Sequence, residues 1–172
     1  VGQAATGHPL IGAAVSLLDG GTVLTGRVSR ATHRWLDDHT VGGQVLLPGT
    51  AWLDVALTAA DHIGAAGVES LVMPRPLFLE PDAVFDLRVT VGARRGELHD
   101  ITIASRGTGE SDEWTVHAEG ALSRVAREFK DVGLASWPPS SARQLDLHGF
   151  YPSLAESGYI FGPSFQALVS AW

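Results

Sequence analysis

Residues 49–63 read GTAWLDVALTAADHI, and the reading of that stretch decides the fold. Asp54, Thr58 and Asp61 recur at i, i+4 and i+7 and make one narrow polar stripe. Trp52, Leu53, Val55, Ala56, Leu57, Ala59, Ala60 and Ile63 cover the rest of the circumference. A helix that is apolar over most of its girth is a buried helix. Gly64 and Gly67 follow as stop signals. The spacing therefore predicts a central helix over 49–63, with Leu53 and Leu57 in the core, and the rest of the chain must wrap it.

On both sides of this helix the period changes to two. Val84 to Val91 alternates, with Phe85, Leu87, Val89 and Val91 on one face and Asp86, Arg88 and Thr90 on the other. Leu98 to Ser105 and Trp114 to Leu122 read likewise. In the latter, Trp114, Val116, Ala118 and Leu122 are expected inward, and Thr115, His117 and Glu119 outward. Val68 to Met73 is a further strand. Leu10 to Leu18 and Thr22 to Arg30 flank Asp19-Gly20-Gly21 as an N-terminal hairpin. The class is α+β: an antiparallel sheet curled round a long central helix, with its other face wet. Residues 125–148, which include Trp137-Pro138-Pro139-Ser140-Ser141, lose periodicity and read as a linker. Residues 149–172 hold a short helix (Phe150 to Ser157), a Gly-Pro turn and a strand (Phe165 to Trp172), too little for a second core. The organisation expected is a first unit over 1–124, a linker over 125–148, and the incomplete start of a second unit over 149–172.

Composition narrows the function classes. The 172 residues are 45% hydrophobic and 18% charged, which suits a packed core rather than disorder. A formal net charge of −7 argues against a sequence-independent grip on nucleic-acid phosphates. No apolar run reaches the roughly 18 residues that span a bilayer, and the N-terminus lacks the basic start of a signal peptide. With no cysteine, disulfides, thiolate catalysis and Cys-ligated zinc are excluded. A cytoplasmic location is expected.

His39 is the most informative position. It lies in HTVGGQVLLPG, between Trp35-Leu36-Asp37-Asp38 and the buried helix. There it stands beside the free N–H groups of a helix start, which can polarise a carbonyl. A neutral imidazole can then remove the proton α to that carbonyl. Gly42 and Gly43 would let backbone approach a ligand, and Pro48 would fix the entry into the helix. A histidine that merely caps a loop satisfies the same spacing. His33, Asp37, Asp38 and His39 could also be counted as metal ligands, but adjacent Asp37 and Asp38 cannot both face one ion in an extended segment. No HExxH spacing occurs either, so no metal is expected. No GxSxG, GxGxxG or Walker-type loop is present. His62, His99 and His117 are expected at the surface. Gly158 to Phe165, GYIFGPSF, packs two glycines, a proline and aromatics into one sharp turn, from which the Tyr159 hydroxyl could reach a substrate.

These residues carry a family resemblance. His39, Gly43 and Pro48 match H-x3-G-x4-P, which resembles the signature of dehydratase domains in bacterial modular type I polyketide synthases. His8-Pro9-Leu10, Trp35-Leu36 and Leu46-Leu47-Pro48-Gly49-Thr50-Ala51 agree with its flanks. The 158–165 stretch, with Tyr159, Gly162 and Pro163, resembles the family's GYxYGPxF and departs from it at Phe161, where tyrosine is usual. The resemblance implies a hot-dog fold, here the first half of a double hot dog. It implies loss of water from a β-hydroxyacyl thioester to give an α,β-unsaturated chain in polyketide biosynthesis. The substrate rides on the phosphopantetheine of an acyl carrier protein, and the domain itself binds no cofactor. Its partners are that carrier and the neighbouring synthase domains, with homodimerisation left open. His39 would be the catalytic base, with Gly43, Pro48, Tyr159, Gly162 and Pro163 in supporting or substrate-binding positions. The family's second group, a carboxylic acid in D-x3-Q/H, is expected to be lacking here, because none of the 19 acidic residues stands in such a motif. A double-bond isomerase or ring-forming cyclase of the same fold, and a non-catalytic remnant, are the alternatives.

Overall fold

The computed structural model of the protein describes residues 2–109, 113–126 and 136–172. Helix α1 spans Gly49–His62 and stops where the sequence places its glycine: Ile63 caps it, and Gly64 follows at φ 67°. Trp52, Val55, Ala56, Ala59 and Ala60 are buried. The polar stripe is wider than the spacing predicts, for Leu53 and Leu57 lie beside it and are 40% and 46% exposed. Those two leucines line an open cleft beside Gly67 and Val68 of the sheet's edge strand, which covers them only in part.

The sheet has seven antiparallel strands: β1 (Gln3–Ala5), β2 (Ala13–Ser16), β3 (Thr22–Ser29), β6 (Gly67–Val72), β7 (Val84–Val91), β8 (Leu98–Gly107) and β9 (Thr115–Ser123). Their spatial order is β1-β2-β3-β7-β8-β9-β6. β2 and β3 form the expected hairpin, with Ser16 opposite Thr22. β3 and β7 pair along eight residues from Thr22–Val91 to Ser29–Val84. Leu24, Val28, Leu87, Val89, Val91, Ile101, Ile103, Ala118 and Leu122 are buried in the core shared with α1. Burial of these alternating side chains is the main force holding sheet to helix.

β9 departs from simple alternation. Ala118 pairs with Ile103, but the next pair is Val116 with Ala104, so His117 is the extra residue of a β-bulge. The bulge reverses the phase. His117 turns inward and is 2% exposed, against the surface position expected for it. Trp114 goes to the outer face, where the guanidiniums of Arg88 and Arg106 lie 4.0 and 5.0 Å from its ring centroid. His99 is buried as well; its Nδ1–H donates to the Gly92 carbonyl at 3.0 Å.

A second sheet of three strands stands apart: β4 (His39–Val41), β5 (Gln44–Val45) and β10 (Tyr159–Phe161), in the order β10-β4-β5. Helix α2 (Phe150–Glu156) comes just before β10. The strand expected over 165–172 is absent: Pro163–Phe165 is a 3-10 turn, and 166–172 have no regular structure. Pairing goes instead to 159–161, whose partner is the histidine strand.

Candidate active site

Three constraints place the His39 side chain. The 3-10 turn Arg34–Asp38 leads into it, anchored by fully buried Leu36. β4 and β5 then form a tight hairpin in which Val41 faces Gln44 across the two-residue loop Gly42-Gly43. Both glycines have positive φ, 57° and 81°, as a type I′ loop requires. A Cβ at either would meet no other protein atom within 4 Å, so within the chain it is the turn that calls for glycine there. The third constraint is β10, which puts Phe161 directly opposite His39 and Tyr159 opposite Val41.

The ring of His39 is held by one hydrogen bond and two aromatic faces. Its Nδ1 lies 3.1 Å from the Leu46 carbonyl oxygen. A carbonyl only accepts, so Nδ1 carries the proton and Nε2 of the neutral ring keeps its lone pair. Phe161 stacks on the ring at a centroid distance of 5.4 Å and an angle of 26°; Phe165 tilts against it at 4.9 Å. Trp35 packs on Phe165 at 6.1 Å. The imidazole is half-buried. The arrangement is an imidazole with Nδ1 hydrogen-bonded to a backbone carbonyl and aromatic rings against it from Phe161 and Phe165.

The acidic neighbours are engaged elsewhere. Asp37 Oδ1 accepts from Arg30 Nε at 2.5 Å. The Asp38 carboxylate accepts from the Ser164 amide at 2.9 Å, and its backbone carbonyl accepts from the Gly162 amide at 2.8 Å. The side-chain and backbone hydrogen bonds from Ser164 hold the Asp38 carboxyl below the usual carboxylate range. Asp54 Oδ2 pairs with His8 Nε2 at 2.9 Å, which ties the His8-Pro9-Leu10 segment to α1. His33, weighed above with Asp37, Asp38 and His39 as a metal ligand, is engaged elsewhere too: Nε2–H donates to the Pro9 carbonyl at 3.2 Å and Nδ1 accepts from the Thr32 hydroxyl at 2.9 Å.

Of the residues singled out from sequence, His39, Tyr159, Gly162 and the Pro48 entry to α1 gather in one region. Pro48 is the helix N-cap itself, at φ −66° and ψ 148°. Gly43 serves from the hairpin tip, Pro163 begins the 3-10 turn, and Tyr159 is half exposed on β10. Leu46 and Phe165 carry no sequence signal for a place beside His39, Asp38 is marked there only as a metal-ligand alternative, and Phe161 only as a departure from the motif. Phe161 and Phe165 stand four residues apart across a Gly-Pro, and only the fold turns both onto the ring.

Comparison with known proteins agrees with this geometry. Residues 8–106 match the family model described as polyketide synthase dehydratase domain, and residues 129–172 match the one described as polyketide synthase dehydratase N-terminal domain. The chain belongs to the polyketide synthase dehydratase family, and its wrapped helix is a hot-dog unit of that family. It is 44% identical over 177 residues to polyketide synthase GfsA of Streptomyces halstedii, covering 100% of this chain and 2% of that protein. A solved structure described as giving insight into dehydratase substrate selection for the borrelidin and fluvirucin polyketide synthases superposes with a TM-score of 0.92 at 41% identity. It covers 99% of this chain and 61% of its own. The erythromycin dehydratase superposes at 0.89 with 40% identity, covering 99% and 64%. The chain therefore spans about three fifths of the solved dehydratases and a small part of a whole synthase. Among the described residues no helix is long and apolar enough to cross a membrane.

Proposed function

We propose that this chain supplies the base for dehydration of a β-hydroxyacyl thioester, carried on the phosphopantetheine of an acyl carrier protein within a polyketide synthase. The observation that carries the reading is the Nδ1 hydrogen bond to Leu46, which leaves Nε2 of His39 free. Nε2 takes the α-proton. The electron pair of that C–H bond becomes the Cα=Cβ double bond, the β C–O bond breaks, and the oxygen leaves as water after receiving a proton. The thioester carbonyl is polarised as negative charge develops on it. Gly49 and Thr50 open α1 directly after Pro48 and contribute N–H groups at the positive end of its dipole.

The proton for the departing hydroxyl is proposed to come from a carboxylic acid in the part of the dehydratase that this chain does not span. Asp37, Asp38 and Asp54 are paired with Arg30, Ser164 and His8, and Asp38 is held ionised, so none is poised as a donor. Gly43, Pro48, Gly162 and Pro163 act as shaping positions, and Tyr159 stands at the edge where a substrate hydroxyl could meet it. In this reading residues 149–172 begin the second hot-dog unit while lending β10 to the first.

The test is turnover of a β-hydroxyacyl pantetheine thioester by the full-length protein, followed by mass and ultraviolet absorbance. Loss of a general base lowers the rate by about 10²-fold or more. His39→Ala and His39→Gln are expected to show that loss while remaining folded. Unsaturated product formed at the wild-type rate by either variant overturns the reading. A shifted double bond or a cyclic ether as the product assigns the same base to isomerisation or ring closure.

A further inference from the structure

We propose that His117 is a positioning residue for the reaction of His39, acting through the 75–79 segment on the Leu46 carbonyl; this rests on the dehydratase reading. His117 is the extra residue of the β9 bulge, turned into the core at 2% exposure. Bulges commonly re-aim a side chain beside a functional site. Its ring lies flat on Trp52 of α1, with centroids 5.2 Å apart and planes 4° apart. Nε2 accepts from the Ser105 hydroxyl at 2.8 Å, and Nδ1–H donates to the Arg75 carbonyl at 3.1 Å. Both nitrogens are occupied, so the ring transfers no proton itself. What it does is hold a carbonyl.

That carbonyl begins a segment without regular structure that lies along the site. The Leu47 amide donates to the Leu77 carbonyl at 3.0 Å, and the Leu79 amide donates to the Val45 carbonyl at 2.8 Å. Leu46, between them, bridges to Phe78. Leu77 and Leu79 are buried, so the segment is clamped at three places: its own two leucines and His117. Leu46 in turn offers its carbonyl to His39 Nδ1. The line from His117 to the base is thus continuous: Arg75 carbonyl, 77–79, Leu46, His39. Release at Arg75 removes one of the three anchors of the segment that packs on Leu46, so the Leu46 carbonyl is held less firmly on Nδ1 and the preference for the Nδ1–H tautomer weakens. Burial holds the His117 pKa below the ordinary imidazole value despite the pull of the Arg75 and Pro76 carbonyls, so the clamp is a neutral ring near pH 7.

Three variants of the full-length protein separate positioning from plain stability. His117→Phe keeps an aromatic ring against Trp52 and loses both hydrogen bonds. His117→Asn restores a donor near the Nδ1 position. Ser105→Ala removes only the Nε2 partner. Misplacement of a catalytic group can cost up to about a hundredfold; His117→Phe is expected to lower kcat about tenfold or more with KM changed less than about twofold. His117→Asn is expected to recover most of kcat. Ser105→Ala is expected to lower the melting temperature without lowering kcat. Nitrogen NMR of His39 is expected to show the Nδ1–H tautomer in wild type and a shift toward Nε2–H in His117→Phe. Unchanged kcat in His117→Phe, or kcat that follows melting temperature through all three variants, overturns the proposal. If the wild-type protein forms no unsaturated product, the dehydratase reading is what fails. The His39 tautomer in His117→Phe then decides the positioning claim by itself: a shift supports it and an unchanged spectrum overturns it.

Discussion

The carboxyl group of Asp38 occupies the space that a Cβ on residue 162 would need. Gly162 donates its amide to the Asp38 carbonyl, and a methyl group built on it would overlap the Asp38 carboxyl. This contact joins the residue before His39 to the loop that carries Phe161 and Phe165.

Gly162→Ala is therefore expected to push the 161–165 loop off the histidine strand. Overpacking of this kind costs about 1–3 kcal/mol. A denaturant titration measures that loss. Turnover by the same variant is expected to fall about tenfold or more, because His39 loses its aromatic wall. Wild-type values in both measurements would show that the fit carries no weight.

The core side of α1 can be tested by truncation and by overpacking. Trp52→Ala removes a side chain that is 2% exposed and stacked on His117. It is expected to cost about 3–5 kcal/mol. Ala59→Leu, at a fully buried position, is expected to cost about 1–3 kcal/mol by overpacking. Equilibrium unfolding in urea checks both.

The Gly42-Gly43 loop sets a backbone requirement. A β-branched residue at φ 81° is strained, and each left-handed residue of ordinary type costs roughly 1–2 kcal/mol. Gly43→Val is expected to lower both melting temperature and turnover. Gly43→Asn, which tolerates positive φ, is expected to fall between Val and wild type. Equal melting temperatures for Val and Asn would contradict the turn assignment.

Acid should destabilise the fold through His117. Its folded-state pKa lies below the unfolded value near ~6.5 because burial disfavours the charged ring. Well above pH ~6.5 the ring is neutral in both states and contributes no slope. As pH falls below that value the unfolded chain takes up a proton that the folded core refuses, so stability declines toward the folded pKa. One such group gives a slope of at most about 1.4 kcal/mol per pH unit. Urea midpoints at several values between pH 7.5 and 5.5 measure the slope, and His117→Asn is expected to remove this residue's share.

The parts of the fold legible in sequence were those with a long, unbroken period. The span of α1 and the whole of β7 follow from spacing alone, because fourteen and eight residues hold one pattern each. β9 misled at its N-terminal end, since a one-residue bulge inverts every side chain beyond it: His117 went in and Trp114 went out. Leu53 and Leu57 misled differently, for periodicity tells which side chains are apolar and not which of them a neighbour covers. In the site, His39 stood out by its motif and by its place ahead of a buried helix. Leu46 could not, because its contribution is a backbone carbonyl that every residue possesses. β10 is three residues long, too short to show a period, and its partner lies far back in the chain.

That last separation has a consequence in time. His39 and Phe161 are about 120 residues apart in sequence. At a synthesis rate of about 5–20 residues per second, the histidine strand leaves the ribosome roughly 6–24 s before the phenylalanine that stacks on it. Hairpins close in microseconds, so the β4–β5 turn can close as it emerges, and the 75–79 segment and His117 that set the Leu46 carbonyl also precede Phe161 in the chain. The nascent chain thus carries an oriented imidazole whose β10 edge is open to water, and the site is finished only when a much later stretch of polypeptide is added as its third strand.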